Sequence, residues 1–145
     1  MSLADLASED KLKAHKTSKA EINQLLAVFD RDMADAQIVT LSVDRRFIMA
    51  YSAALTIAIV ALAASGYRAA NQGHHYWTIQ SLAFTLGIDP KTVEKLNKFR
   101  QKRNIADYER IGMASGKEVG EMLDLAKRLR LDLADWLKSN HPELS

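Results

Sequence analysis

Residues 47–65 read FIMAYSAALTIAIVALAAS, nineteen positions without a charged residue or a proline. Arg45 and Arg46 stand before the stretch and Arg68 after it. Its length nearly reaches the roughly 20 apolar residues that a membrane-crossing helix needs, so two readings compete. Composition separates them. Ala50, Ala53, Ala54, Ala58, Ala61, Ala63 and Ala64 make the stretch small-sided rather than greasy, and Tyr51, Ser52 and Thr56 add hydroxyls. The rest of the chain supplies helices apolar on one stripe only, and such stripes need a partner to pack on. A helix apolar on all sides, surrounded by these, reads as the centre of a soluble bundle with no membrane partner.

Working outward, Ser42 is placed to cap this helix, with Asp44 near its positive end. Gly66 interrupts its far end, and Asn71-Gln72-Gly73 closes it in a turn. Upstream, Ile38 to Leu41 is a short connector. Before it, Ser18 and Glu21 have capping-box spacing, and Ile22, Leu25, Leu26, Phe29 and Met33 recur with helical period to about Gln37. Residues 1–17 are polar and mixed in charge, and read as a flexible tail that is loose or weakly helical.

Downstream, His74 and His75 lead into a helix expected over Tyr76 to about Leu86, with Trp77, Leu82 and Phe84 as its apolar contributors. Gly87 and Ile88 suit its termination. Asp89-Pro90 restarts the chain as cap and first helical residue, and Val93, Leu96 and Phe99 form the next stripe. Ser115 with Glu118 is a second capping box. It opens a last helix marked by Val119, Met122, Leu123, Ala126, Leu129, Leu133, Trp136 and Leu137, and stopped by Asn140 and Pro142. No alternating β pattern is visible. The expectation is an all-α, up-and-down bundle of about five helices, forming a single domain over residues 18–141.

A chain of 145 residues suits one such core. It contains no cysteine, which excludes a disulfide framework and thiolate metal sites and agrees with a reducing cytoplasm. The N-terminus lacks the order of a signal peptide, so a cytoplasmic location is expected. A net charge of +2 is too small to name a partner.

The distribution of charge is more informative. Between Lys91 and Ile111 there are seven positive residues and three negative ones. The positive charges concentrate at Lys98, Arg100, Lys102 and Arg103, where the apolar stripe stops. Such a run is either a solvated face or a surface for phosphate oxygens, which Arg binds in bidentate fashion. Asn104 follows Arg103, and Tyr108 stands four residues later on the Asn104 face. Arg103 and Tyr108 would be about 140° apart in one continuous helix. They can share a ligand only if the helix ends nearby or a second subunit completes the site. The competing structural reading pairs Arg103 with Asp107 and packs Tyr108. His74 and His75 are candidate auxiliary imidazoles, but two adjacent histidines without a third ligand do not make a metal site. No metal or cofactor is expected. Tyr51, Tyr67, Trp77 and Trp136 read as packing residues.

The segments SVDRRFIMAYSAAL, GYRAANQGHHYWTIQSLAFTLG and LNKFRQKRNIADYE, in this order, resemble the HEPN (higher eukaryotes and prokaryotes nucleotide-binding) superfamily. The likeness is to small bacterial members with an Arg-Asn-x-x-x-Tyr pattern, covers roughly residues 18–140, and is most specific in RQKRNIADYE. It implies a helical bundle, usually a homodimer whose two motifs face one cleft. Many members are metal-independent ribonucleases acting as toxins or in phage defence. Others are non-catalytic RNA- or nucleotide-binding partners of nucleotidyltransferases, so a cognate nucleotidyltransferase or antitoxin is an implied partner. The ribonuclease motif is Arg, a polar residue, and then His. Arg103 and Asn104 match its first two positions, and Tyr108 stands in the place of the His. A tyrosine near its reference pKa of about 10 is a poor base at neutral pH, although it can donate a hydrogen bond or stack on a base. Arg103, Asn104 and Tyr108 are thus the catalytic candidates that the resemblance implies. Slow or absent cleavage is expected unless His74 or His75 supplies the imidazole. A purely structural bundle is the remaining alternative.

Overall fold

The computed structural model describes the backbone of residues 1–108 and 112–145, and the side chains of all but 106–111. Among the described residues the chain forms α1 (Leu3–Ser8), β1 (Leu12–Ala14), α2 (Lys19–Asp35), α3 (Val43–Ala64), β2 (Tyr67–Ala69), α4 (His74–Ser81), α5 (Pro90–Tyr108) and α6 (Gly116–Asn140), with a final 3-10 turn over Pro142–Leu144. The fold is all-α apart from one small ribbon.

Helix α3 is the alanine-rich stretch. The hydroxyl of Ser42 accepts a hydrogen bond from the Arg45 N–H at 3.2 Å, satisfying one of the amides that a helix start leaves open. Asp44 holds the chain entering α6, accepting from the N–H groups of Gly112 at 2.7 Å and Ala114 at 3.2 Å. By length and composition α3 could cross a membrane, yet 83% of its most apolar window is buried within the fold. Its small side chains explain how four helices reach it at once. Helices α2, α4, α5 and α6 all pack on α3, and Ala50, Ala53, Ala58 and Ala61 are fully buried beneath them. Helix α2 contributes Ile22, Phe29 and Met33, and α6 contributes Met122, Ala126, Leu129, Leu133 and Leu137. From α5 come Val93, Leu96 and Phe99, the last edge-on to Phe47 at 5.3 Å between ring centres. Trp136, expected in the core, is only half-buried at its rim beside His141.

Both expected capping boxes are present in part or in full. At α6 it is complete, since Ser115 accepts from the Glu118 N–H and Glu118 accepts from the Ser115 N–H. At α2 it is half-formed. Ser18 accepts from the Glu21 N–H, but the Glu21 carboxylate turns to Thr17 Oγ1 and His15 Nε2, each at 2.7 Å.

Three expectations need correction. Residues 1–17 contain a short helix, one of the two forms expected of them, but they are packed on the bundle and are not a loose tail. Leu6 and Leu12 are buried with Leu62, alongside Trp77 and Tyr67, in a small second cluster. Burying a leucine is worth about 1.5–3 kcal/mol, which helps offset the entropy of ordering this segment. The stretch after α3 is not helix. Ser65 ends α3, Gly66 takes the left-handed conformation (φ +93°), and Tyr67–Ala69 pairs antiparallel with β1, Leu12 opposite Ala69. Finally, the helix expected over Tyr76 to Leu86 begins at His74 and ends at Ser81. The chain turns through residues 82–86, burying Leu82 but leaving Phe84 exposed, until the Ile88 N–H bonds back to the Leu82 carbonyl.

Candidate phosphate-binding groove

The site forms where α5 stops needing to be apolar. At 100° per residue, Val93, Leu96 and Phe99 lie on one face of α5, and positions 100 and 103 continue that face toward its C-terminal half. The inward face thus carries arginine where the first half carries hydrocarbon. Arg100 and Arg103 are both half-buried. Opposite them stands the start of α4, entered through Gly73 in the left-handed conformation (φ +66°), a backbone that glycine adopts without strain. Between the two lies an open groove of about 560 Å³ bordered by Gly73, His74, His75, Arg100, Arg103 and Asn104.

Each wall residue is positioned by identifiable contacts. Arg100 donates from Nε to Asn97 Oδ1 at 2.9 Å, and its guanidinium lies 5.6 Å from the centre of the Tyr76 ring. Arg103 donates from Nη1 to Asn104 Oδ1 at 3.3 Å. The rings of His74 and His75 meet edge-to-face at 4.3 Å. Behind His75, the hydroxyl of the buried Tyr51 approaches Nδ1 to 3.5 Å.

The electrostatics follow from this crowding. Burial pushes the His75 imidazole down to about 4, and His74, Arg103 and Arg100 add positive charge that pushes the same way. His75 is therefore neutral at pH 7. Burial also raises the Tyr51 hydroxyl well above its ordinary value, with Arg100 and Arg103 opposing weakly, so it keeps its proton. In the tautomer where Tyr51 donates to Nδ1, the His75 proton sits on Nε2, and in the other Nε2 is an acceptor.

The sequence-derived site is divided by this geometry. Arg103 and Asn104 share the groove, and the auxiliary pair His74 and His75 joins them. Of the remaining residues proposed from the charge run, Arg100 also borders the groove, and Lys98 and Lys102 do not. On a helical projection Lys98 and Lys102 are 40° apart, Arg100 and Arg103 60° apart, and the two pairs face about 150° away from each other. Lys98 reaches Glu94 at 3.5 Å on the solvent side, and Lys102 pairs with Glu118 of α6 at 2.5 Å. Burial alone would raise Glu118, but the bonds from Lys102 and Ser115 bring it below the ordinary carboxylate range. Lys102 is thus part of the α5–α6 joint. The side chains of Tyr108 and of its rival contact Asp107 lie outside the described residues. The backbone of α5 runs helically through position 108, about 140° from position 103.

Sequence reasoning missed Tyr51 and Tyr76 as parts of this site. Tyr51 lies in the most apolar stretch and reads there as core, and only the fold shows that its hydroxyl sits behind His75. Among the described residues no cluster of three His, Cys, Asp or Glu side chains suited to a metal occurs. In chemical terms the groove offers two guanidinium groups, an amide, a neutral imidazole and the start of α4, a set suited to an anion. No family model matches the sequence, and neither a curated protein nor a solved structure does.

Proposed function

We propose that the chain is a HEPN-like, cytoplasmic RNA- or nucleotide-binding protein whose phosphate contact is made by Arg100 and Arg103. The observation that carries this reading is the placement of two arginines on the inward face of α5, facing His74, His75 and the start of α4. Inward-facing arginines add nothing to a hydrophobic core, whereas planar guanidinium groups match phosphate oxygens two at a time. The His75 Nε2–H donates to a third oxygen. As the bound phosphate offsets the surrounding positive charge, the imidazole pKa rises, so binding below neutral pH is coupled to proton uptake.

The test is a gel-shift titration of single-stranded RNA at low salt. The wild type retards the RNA, and Arg103→Ala weakens retardation at least about tenfold, as expected from the loss of about 1.5–3 kcal/mol for a hydrogen bond to a charged group. Equal binding by both proteins removes the groove from consideration and favours a structural bundle.

A second reading, metal-independent ribonuclease, is favoured by the exposed His74 ring beside His75 in the same groove. His74 takes the proton of a ribose 2′-hydroxyl as its oxygen bonds to phosphorus and the P–O5′ bond breaks. The leaving 5′-oxygen takes a proton from water. Arg100 and Arg103 stabilise the charge that develops on the phosphorane oxygens. Cleavage of cellular RNA in excess EDTA, lost in His74→Ala while binding persists, supports it. Binding without cleavage leaves a non-catalytic module, such as a partner of a nucleotidyltransferase. The same reading proposes a twofold homodimer, checked by light scattering at micromolar concentration against the 16.2 kDa monomer.

A further inference from the structure

His74 borders a second cavity as well. On its other side lies a partly enclosed space of about 220 Å³ between α2, α3 and β2, walled by Leu25, Ile59, Leu62 and Ala63, with Glu21 and His15 at its polar end. Arg68 and Thr78 also line it. On α3 the cavity is bordered by the small side chain of Ala63, where a larger one would reduce the space.

We propose that this cavity takes the purine ring of a nucleotide whose phosphate lies against Arg100 and Arg103. The proposal rests on the phosphate reading of the groove and extends it to the rest of the ligand. Three observations carry it. The first is size. An apolar cavity of about 150 Å³ holds a benzene ring, so 220 Å³ admits a second, fused ring. The second is chemistry. The aliphatic walls suit the faces of a flat heterocycle, and small-molecule pockets pair such walls with a few polar groups that fix orientation. Here that group is Glu21. His15 Nε2 and Thr17 Oγ1 both bond to its Oε1, which leaves Oε2 to accept from an N–H on the purine edge. A fatty chain would bring no donor to this carboxylate, and an apolar acid would meet its charge. The third is continuity. His74 lines both spaces, so one ligand can pass across it with phosphate on one side and base on the other.

The test is calorimetric titration of the full chain with adenosine monophosphate, guanosine monophosphate, ribose 5-phosphate and adenosine. The wild type is expected to bind at least one of the purine monophosphates about tenfold or more tightly than ribose 5-phosphate. Ala63→Leu fills the cavity and should erase that preference while leaving ribose 5-phosphate binding unchanged. Its fold is checked by thermal melting. Glu21→Gln, which keeps the side-chain size, should reduce the preference severalfold and serves if Ala63→Leu does not fold. Equal binding of the monophosphates and ribose 5-phosphate overturns the base pocket and leaves the phosphate groove standing. Adenosine binding as tightly as adenosine monophosphate overturns the phosphate groove, and with it a ligand that spans both. No binding by any of the four overturns both.

Discussion

Helices α3 and α5 begin alike and end differently. Both present a buried stripe to the bundle, but α3 stays apolar to its last turn, whereas α5 turns from Phe99 to Arg100 and Arg103 without changing face. Most inward positions of α3 are accounted for by packing, and Ala50, Ala53, Ala58 and Ala61 are the size that four neighbours allow, while Ala63 borders the second cavity. The inward arginines of α5 are not explained that way, because half-burying charge costs free energy that hydrocarbon would not. Both guanidinium groups instead border an open groove, where they gather the chemistry that an anion would need.

The comparison breaks most visibly through over-packing. Phe at position 58 or 61 of α3 enters space that is already full and should cost about 1–3 kcal/mol, read as a lower urea midpoint. Arg103→Ala should lower that midpoint by less. If the arginine variant were the more damaging of the two, the groove would be structural and the contrast between the helices would be lost.

The next effect is in pH. His75 titrates at about 4 in the folded chain and at about 6.5 when unfolded. Between these values the unfolded chain binds more protons, so stability is full above pH 6.5 and is lost as the pH falls toward 4. For a half-exposed ring the loss is about 1 kcal/mol after discounting for solvent. His75→Gln should flatten the slope, measured by denaturation at a series of pH values. An unchanged slope would mean that the imidazole is not held neutral against the arginines.

Smaller effects sharpen the division among the basic residues. Lys102→Met removes the partner of Glu118 and should cost about 1 kcal/mol of stability without altering RNA binding. Lys98→Glu alters an exposed pair with Glu94 and should stay within about 0.5 kcal/mol.

Much of this fold was legible in the residues. The Ser42 cap, the Ser115–Glu118 box and the apolar stripes of α2 and α6 are local signals, and each is found where its spacing placed it. The β1–β2 ribbon was not legible. Its strands are three residues long, too short for alternation to show, and the burial of Leu6 and Leu12 depends on Leu62 and Trp77 far along the chain. The groove was half legible. Arg103 and Asn104 stood out by motif and Arg100 by charge, and the helical projection alone could have set Lys98 and Lys102 apart. That His74 and His75 would meet those arginines is a tertiary fact that no local pattern carries.

The central claim is that two arginines, rather than the basic run as a whole, hold phosphate. Fluorescence anisotropy of a short single-stranded RNA across a salt series tests it directly, comparing Arg100→Ala/Arg103→Ala with Lys98→Ala/Lys102→Ala. The arginine pair should lose at least about tenfold in affinity and show a shallower dependence on salt, by about 0.7 in the log–log slope for each phosphate contact removed. The lysine pair should stay within about threefold of the wild type. Binding abolished by the lysine changes and untouched by the arginine changes would contradict the account and return the groove to the status of a solvated face.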